Sequence, residues 1–223
     1  MTVVGRVSES KPFMRPFILG LTGSIGMGKS AVAAMLRELG VPVFDADAAV
    51  HELQGPNGAC LTPIERAFPG TTGPLGVDRQ NLGAAVFGDP DKLRLLESIV
   101  HPEVAEMRRT FLADNADAQL IVFDIPLLFE KTGQHGLNAV AVVSAPAPIQ
   151  RERVLSRPGM SVEKFETILA LQVPDADKRA RADFVIDTGL PLARTRAQVA
   201  ALVAHLRENG PWSHLPAAPG ALI

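Results

Sequence analysis

The stretch "GLTGSIGMGKSAV" (20–32) places four glycines within nine residues, Gly20, Gly23, Gly26 and Gly28, and follows them with Lys29 and Ser30. The spacing Gly23-x-x-x-x-Gly28-Lys29-Ser30 is that of a phosphate-binding P-loop. Successive backbone N–H groups of a glycine-rich turn, continued into a helix N-terminus, make a concave anion site. Side chains would block close approach there, and some of the residues need positive φ. Lys29 is expected at the β- and γ-phosphates of a nucleoside triphosphate, and the Ser30 hydroxyl at Mg²⁺. Such a loop has to follow a strand and open a helix, and its flanks read that way. "FILGL" (17–21) is a short apolar run, and 28–39 has helical spacing with Val32, Met35, Leu36 and Leu39 on one side and Gly40 as its stop.

Four further strands are expected: "VPVFD" (41–45), "QLIVFDI" (119–125), "NAVAVVS" (138–144) and "DFVID" (183–187). Continuous apolar strands separated by helical stretches predict a parallel sheet covered on both faces, an α/β fold. The gap over residues 50–118 is long, with a Gly/Pro-rich centre "FPGTTGPLG" (68–76) and an amphipathic stretch over 89–114. It reads as a helical insertion rather than an ordinary crossover. A second gap, 145–182, is helical and arginine-rich. There is no internal repeat. Residues 1–13 read as a flexible tail without the apolar segment of a secretory signal, and Met14 is a candidate alternative start.

The fold alone does not choose among switches, motors and kinases, so exclusions matter. No apolar run approaches the roughly 18 residues of a membrane span. The net charge of −2 gives no global basic field for nucleic acid. Cys60, the only cysteine, excludes an internal disulfide and fits a reducing, cytoplasmic setting. A guanine-reading Asn-Lys-x-Asp is missing. A small-molecule kinase needs a carboxylate facing the acceptor hydroxyl, an acceptor-binding insertion and a closing lid with arginines. "VFDADAAVHEL" (43–53) supplies Asp45 and Asp47 at the carboxyl end of a strand read as lying beside the P-loop, where ligands bind in open α/β sheets. One of the pair can serve Mg²⁺ or water while the other takes the acceptor's proton; the alternative is that one or both cap the next helix.

The segments "GLTGSIGMGKS", "VFDAD", "LESIVHPEV", "DIPLLFE", "IQRERVLSRPGMSVEKFETILALQ" and "ADFVIDTG", in that order over about residues 17–205, resemble the dephospho-coenzyme A kinase family. The resemblance implies a three-layer P-loop kinase fold with a central parallel sheet, a helical acceptor-binding insertion and a helical lid. It divides the chain into a tail (1–16), core (17–49), insertion (50–118), core (119–144), lid (145–182), core (183–210) and C-terminal tail (211–223). It implies transfer of the γ-phosphoryl of ATP to the ribose 3′-hydroxyl of dephospho-CoA, with ATP and Mg²⁺ and no obligate protein, membrane or nucleic-acid partner.

By the same resemblance Gly23, Ser24, Ile25, Gly26, Met27, Gly28, Lys29, Ser30 and Ala31 hold ATP phosphates, with Ser30 and Asp45 on the metal. Asp47 is the catalytic base, Arg153 and Arg157 are lid arginines, and the acceptor is met by Arg79, His101, Leu127, Leu128 and Glu130. Two residues depart from the family's pattern, Ala31 in place of Thr and Thr188 in place of Asn near the adenine. Among the other candidates, Asp124 reads either as a carboxylate orienting Mg²⁺ or water or as a loop anchor. Arg108 and Arg109 offer charge to the acceptor's phosphates, His101 alternatively packs within the insertion, and Phe165, Ile168, Leu169 and Leu171 read as lid packing. The competing functions are another nucleoside- or nucleotide-type P-loop kinase, or a nucleotide-dependent regulator without catalysis.

Overall fold

An apolar run whose backbone groups can be satisfied only by neighbouring strands belongs inside a sheet, and Phe17–Thr22 (β1) is there, with five of its six residues buried. The computed structural model describes residues 16–132 and 136–208. The expected tails, Met14 and 211–223 included, lie outside the described residues except for Pro16. In chain order β1 is followed by α1 (Lys29–Glu38), β2 (Val43–Asp45) and α2 (Ala46–Leu53). Next come α3 (Leu61–Ala67), a hairpin of β3 (Thr72–Gly73) and β4 (Gly76–Val77), α4 (Arg79–Val86) and α5 (Pro90–Asp114). The chain returns to the sheet as β5 (Leu120–Asp124), makes a π turn (Leu128–Thr132) and forms β6 (Ala139–Ser144). It closes with α6 (Ala147–Leu155), α7 (Val162–Ala170), α8 (Asp175–Ala180), β7 (Phe184–Asp187) and α9 (Leu192–Glu208).

Five strands form one parallel sheet in the order β2-β5-β1-β6-β7. The second strand therefore does not lie beside β1, as the sequence suggested; β5 separates them. The reason is burial: all five residues of β5 are buried, which suits an interior position, whereas the three-residue β2 makes an edge. Period-2 alternation builds the three layers. Leu120, Val122, Ala139, Ala141 and Val143 pack on α1 and α9 through Val32, Leu36, Val199 and Leu202. Ile121 and Phe123 face the other way, onto Met107 and Phe111 of α5, while Val140 and Val142 meet Leu128 and Phe129.

The residues between β2 and β5 carry their own small core of Leu53, Cys60, Ile64, Phe68, Leu82 and Val100. Its long member α5 starts where Asp89 accepts from the Asp91 and Lys92 N–H groups, both at 3.1 Å, and runs on through Pro102. On α1 the expected face is buried at Val32, Met35 and Leu36, but Leu39 ends the helix and is 38% exposed. The stripe on α7 also divides: Phe165 is buried, while Leu169 and Leu171 stand exposed. Only part of that stripe packs.

Candidate active site

Parallel pairing brings the carboxyl ends of the strands to one edge of the sheet. β1 delivers the P-loop there, and the register sets Asp45 of β2 directly beside Asp124 of β5. The loop turns into α1 through Gly28, which has φ +88°, a value side-chain-bearing residues rarely adopt. An added Cβ at Gly26 (φ +78°) would lie 2.4 Å from Val154 Cγ2, so α6 presses on the loop from behind. Gly28 has no side chain to cap α1, which leaves the first-turn N–H groups to an anion. In front of the loop lies a cavity of about 450 Å³ lined by Lys29, Ser30, Ala33, Arg37, Asp45, Asp47, Ala48, His51 and Asp124.

Lys29 forms an ion pair with Asp124, which is only 2% exposed. Burial is the largest influence on Asp124 and pushes its carboxyl upward. Lys29 pulls it down, the Asp45 and Asp47 charges push it up again, and the net is above the usual carboxylate range. Lys29 is thus the cation that lets Asp124 carry charge in a dry position. In this structure Asp124 both holds the P-loop lysine and lines the cavity.

Asp45 and Asp47 both line the cavity, on different elements. Asp45 ends β2 and caps α2, its Oδ1 accepting from the Ala48 N–H at 2.9 Å. Asp47 lies not on the strand, as read from the sequence, but in the first turn of α2, where it is exposed at the cavity. An acid there also sits well against the helix dipole. Asp45→Ala is expected to lower stability by about 1 kcal/mol through loss of the cap, and Asp45→Asn by much less, because Asn caps equally well. Chemical denaturation of both variants checks this, and equal stabilities would remove the cap as a cause.

Other expected residues fall in several places. Thr188 does not face outward towards a base; it is 6% exposed, and its hydroxyl donates to the Met27 carbonyl at 2.7 Å. Arg153 donates to Thr188 Oγ1 at 3.1 Å and to its carbonyl at 2.7 Å, so this arginine is tied to the back of the loop. Arg157 is not on the helix with it: α6 ends at Leu155, and Arg157 is exposed in the turn that follows. A spacing of four would put two arginines on one face of a continuous helix, but the helix stops between these two.

Leu128 is fully buried in the core, whereas Leu127 is half-buried. His101 is exposed within α5, which runs on through Pro102, so it is not packed within the insertion. Arg79 opens α4 and hydrogen-bonds to His51 Nδ1 on the cavity wall. Arg108 lies over the Phe123 ring at 5.8 Å, and Arg109 pairs with Glu106. The sequence reading missed Arg37 and His51. A signal existed: Lys29, Ala33 and Arg37 repeat every four residues on α1, and Asp47 and His51 do so on α2.

Glu130, expected at the acceptor, is instead held by the chain that leaves the lid region. Its Oε1 accepts from the Val173 N–H at 3.0 Å and lies 2.7 Å from Nζ of Lys178, a fully buried lysine. Burial raises the Glu130 carboxyl, but Lys178 and the Val173 N–H outweigh it, and the net lies below the ordinary 4.5. A depressed acid stabilises the fold above its unfolded pKa and loses that contribution as pH falls through the folded value. Glu130→Gln, which strands the Lys178 charge, is expected to cost about 3–5 kcal/mol at pH 7. The deficit should fade below pH 4.5, where the native glutamate also becomes neutral. Adding Lys178→Met should recover most of the loss. Thermal melts against pH decide; a deficit that does not change with pH would rule out the ion pair as its origin.

Comparison with known proteins fits this geometry. A family model described as dephospho-CoA kinase matches residues 17–191. A dephospho-CoA kinase of Novosphingobium aromaticivorans is 70% identical over 197 residues, covering 88% of this chain and 98% of the relative. One from Bradyrhizobium diazoefficiens is 52% identical, covering 85% and 95%. Among solved structures, a Thermus thermophilus protein superposes with a TM-score of 0.77 at 36% identity, covering 86% of this chain and 98% of that one. Dephospho-CoA kinase from Campylobacter jejuni, 23% identical with a TM-score of 0.60 over 86% and 98%, shares the fold.

Proposed function

The chain belongs to the dephospho-CoA kinase family, and we propose how its residues carry the reaction, transfer of the γ-phosphoryl of ATP to the ribose 3′-hydroxyl of dephospho-CoA. The observation that carries the reading is one cavity at the strand ends where Asp47, Lys29 and Ser30 meet in front of the uncapped α1 N-terminus. The loop and first-turn N–H groups of residues 23–31, apart from that of Ile25, which donates to Gln172, cradle the triphosphate. Lys29 exchanges Asp124 for the β- and γ-phosphates, which offer more negative charge at the same reach. Asp47 accepts the proton of the 3′-hydroxyl as its oxygen bonds to the γ-phosphorus and the bond to the β-phosphate oxygen breaks, leaving ADP. Arg157, exposed after α6, neutralises the transferring group, and Arg153 supports the loop through Thr188.

The donors at the cavity suit Mg²⁺, being a hydroxyl and carboxylates. Among the described residues no three acidic, histidine or cysteine side chains are grouped to hold a metal ion by themselves. That suits an ion shared with substrate phosphates and water, with Ser30 and Asp45 as the protein's ligands. Such an ion would spread the charge of the transferring phosphoryl group. Residues 50–118 are proposed to hold the acceptor, with Arg79, His51 and Arg37 on the phosphate side, and 145–182 to close as a lid. Among the described residues no helix is long and apolar enough to cross a membrane, and the cytoplasm is the proposed setting.

The test measures ADP release with dephospho-CoA, with a panel of nucleosides and nucleotides, and without acceptor. Strong stimulation by dephospho-CoA alone is expected. Equal stimulation by a nucleoside would make the chain another small-molecule kinase, and none by any acceptor would make it a regulator.

A further inference from the structure

One residue of the P-loop is gripped through both of its backbone groups. The Ile25 N–H donates to Gln172 Oε1 at 3.0 Å, and the Ile25 carbonyl accepts from Gln150 Nε2 at 2.8 Å. Gln150 lies on α6 and is 4% exposed; Gln172 follows α7. The two glutamines therefore come from opposite ends of the segment that carries Arg157 and α7, and both end on one residue. The neighbouring contacts make these ends firm. The Gly26 Cβ position lies 3.0 Å from the Gln150 carbonyl oxygen, so α6 rests on the loop, and Val173, next to Gln172, is held by Glu130.

We propose that Gln150 and Gln172 are positioning residues that clamp Ile25 and thereby link the lid to the ATP-binding loop; this rests on the P-loop being the ATP site. The chemistry favours amides. An amide can donate from its nitrogen at one position and accept on its oxygen at the other. Because the Ile25 N–H is spent on Gln172, Ile25 does not serve a phosphate. It fixes the orientation of the peptides that follow, and fixed donors cost no reorganisation when the ligand arrives. The moving part of the lid then lies between the two anchors and beyond Arg153 and Val154, which α6 holds against the loop: residues 156–171.

The experiment uses the near-isosteric Gln150→Met and Gln172→Met, the double variant, and Gln172→Glu, which keeps an acceptor of the same reach. Each single Met variant should raise the KM for ATP, and the Kd of fluorescent mant-ATP titrated without acceptor, by about 5- to 20-fold, the worth of one lost buried hydrogen bond. The KM for dephospho-CoA should stay within about twofold. The double variant should be no more than about twofold worse than the weaker-binding single, because Ile25, the residue shared by the two peptides, has already lost its fixed orientation once it is released on one side. Gln172→Glu should fall clearly nearer to wild type than Gln172→Met. Unchanged ATP affinity, parallel rises in both KM values, multiplicative singles, or a Glu variant as poor as Met would each overturn the clamp. If the Met variants fail to fold, mant-ATP binding by Gln172→Glu against the too-short Gln172→Asn decides instead, with equal affinities overturning it. A wild-type enzyme inactive on dephospho-CoA would sink the functional reading, while the mant-ATP titration would still judge the clamp.

Discussion

Asp47→Asn is expected to lower kcat by about 10²–10⁴-fold, the usual worth of a positioned base, while ATP and dephospho-CoA bind within a few-fold of wild type. The amide has nearly the shape of the carboxylate, so the acceptor can still be seated; what it loses is the place for its proton. Asp47 is suited to this because it stands exposed in the first turn of α2, at the cavity and free of the cap bond that occupies Asp45. Asp45→Asn preserves that cap and should cost less turnover, or act mainly through Mg²⁺ dependence. The measurement is kcat for both variants, with separate titrations of each substrate. A large loss for Asp45 beside near-normal turnover for Asp47 would reverse the two roles. Two near-normal variants would sink the mechanism.

Lys29→Ala should reduce kcat/KM by about 10²–10³-fold or more, since the transferring phosphoryl loses its closest cation in a site governed by electrostatics. The ion pair adds a stability effect that the P-loop pattern alone does not suggest, because removing Lys29 leaves Asp124 buried without its cation. The Asp124 carboxyl already lies above its ordinary range, chiefly through burial, and without Lys29 it rises further. A raised acid favours the fold in its neutral form, so the Tm deficit should be largest at neutral pH. It should shrink as pH falls towards about 4, where the unfolded carboxylate is protonated as well. Adding Asp124→Asn should restore the Tm and leave activity lost. Melts and initial rates on the single and double variants separate the two contributions; restored activity in the double variant would mean that Lys29 serves the fold and not the phosphates.

Local chemistry made much of this molecule legible. The P-loop could be read because anion binding by backbone N–H groups demands glycine at fixed spacing, and the positive φ at Gly26 and Gly28 meets that demand. The five strands could be read because strands buried on both faces must be apolar throughout. Asp45 and Asp47 could be placed at the ligand edge because all parallel strands end on one side. What could not be read is which element each side chain serves once strands from distant parts of the chain are neighbours. Pairing order was misjudged because adjacency in sequence says little about parallel strands, whose crossovers can skip a position, and burial of β5 took the place beside β1. Glu130 and Thr188 carry polar groups that suit a ligand, but Lys178, Val173 and Met27, which claim them, come from 43 to 161 residues away. Arg153 and Arg157 have helical spacing, but α6 ends after Leu155.

The sequence by itself determined the P-loop, the parallel α/β core and the family, because each rests on short-range spacing that backbone geometry enforces. Only the tertiary structure decided that Lys29 pairs with Asp124, that Asp45 caps α2 through one carboxylate oxygen, and that two glutamines hold Ile25. Those are contests among polar groups for partners, and folding settles them by which groups it buries together.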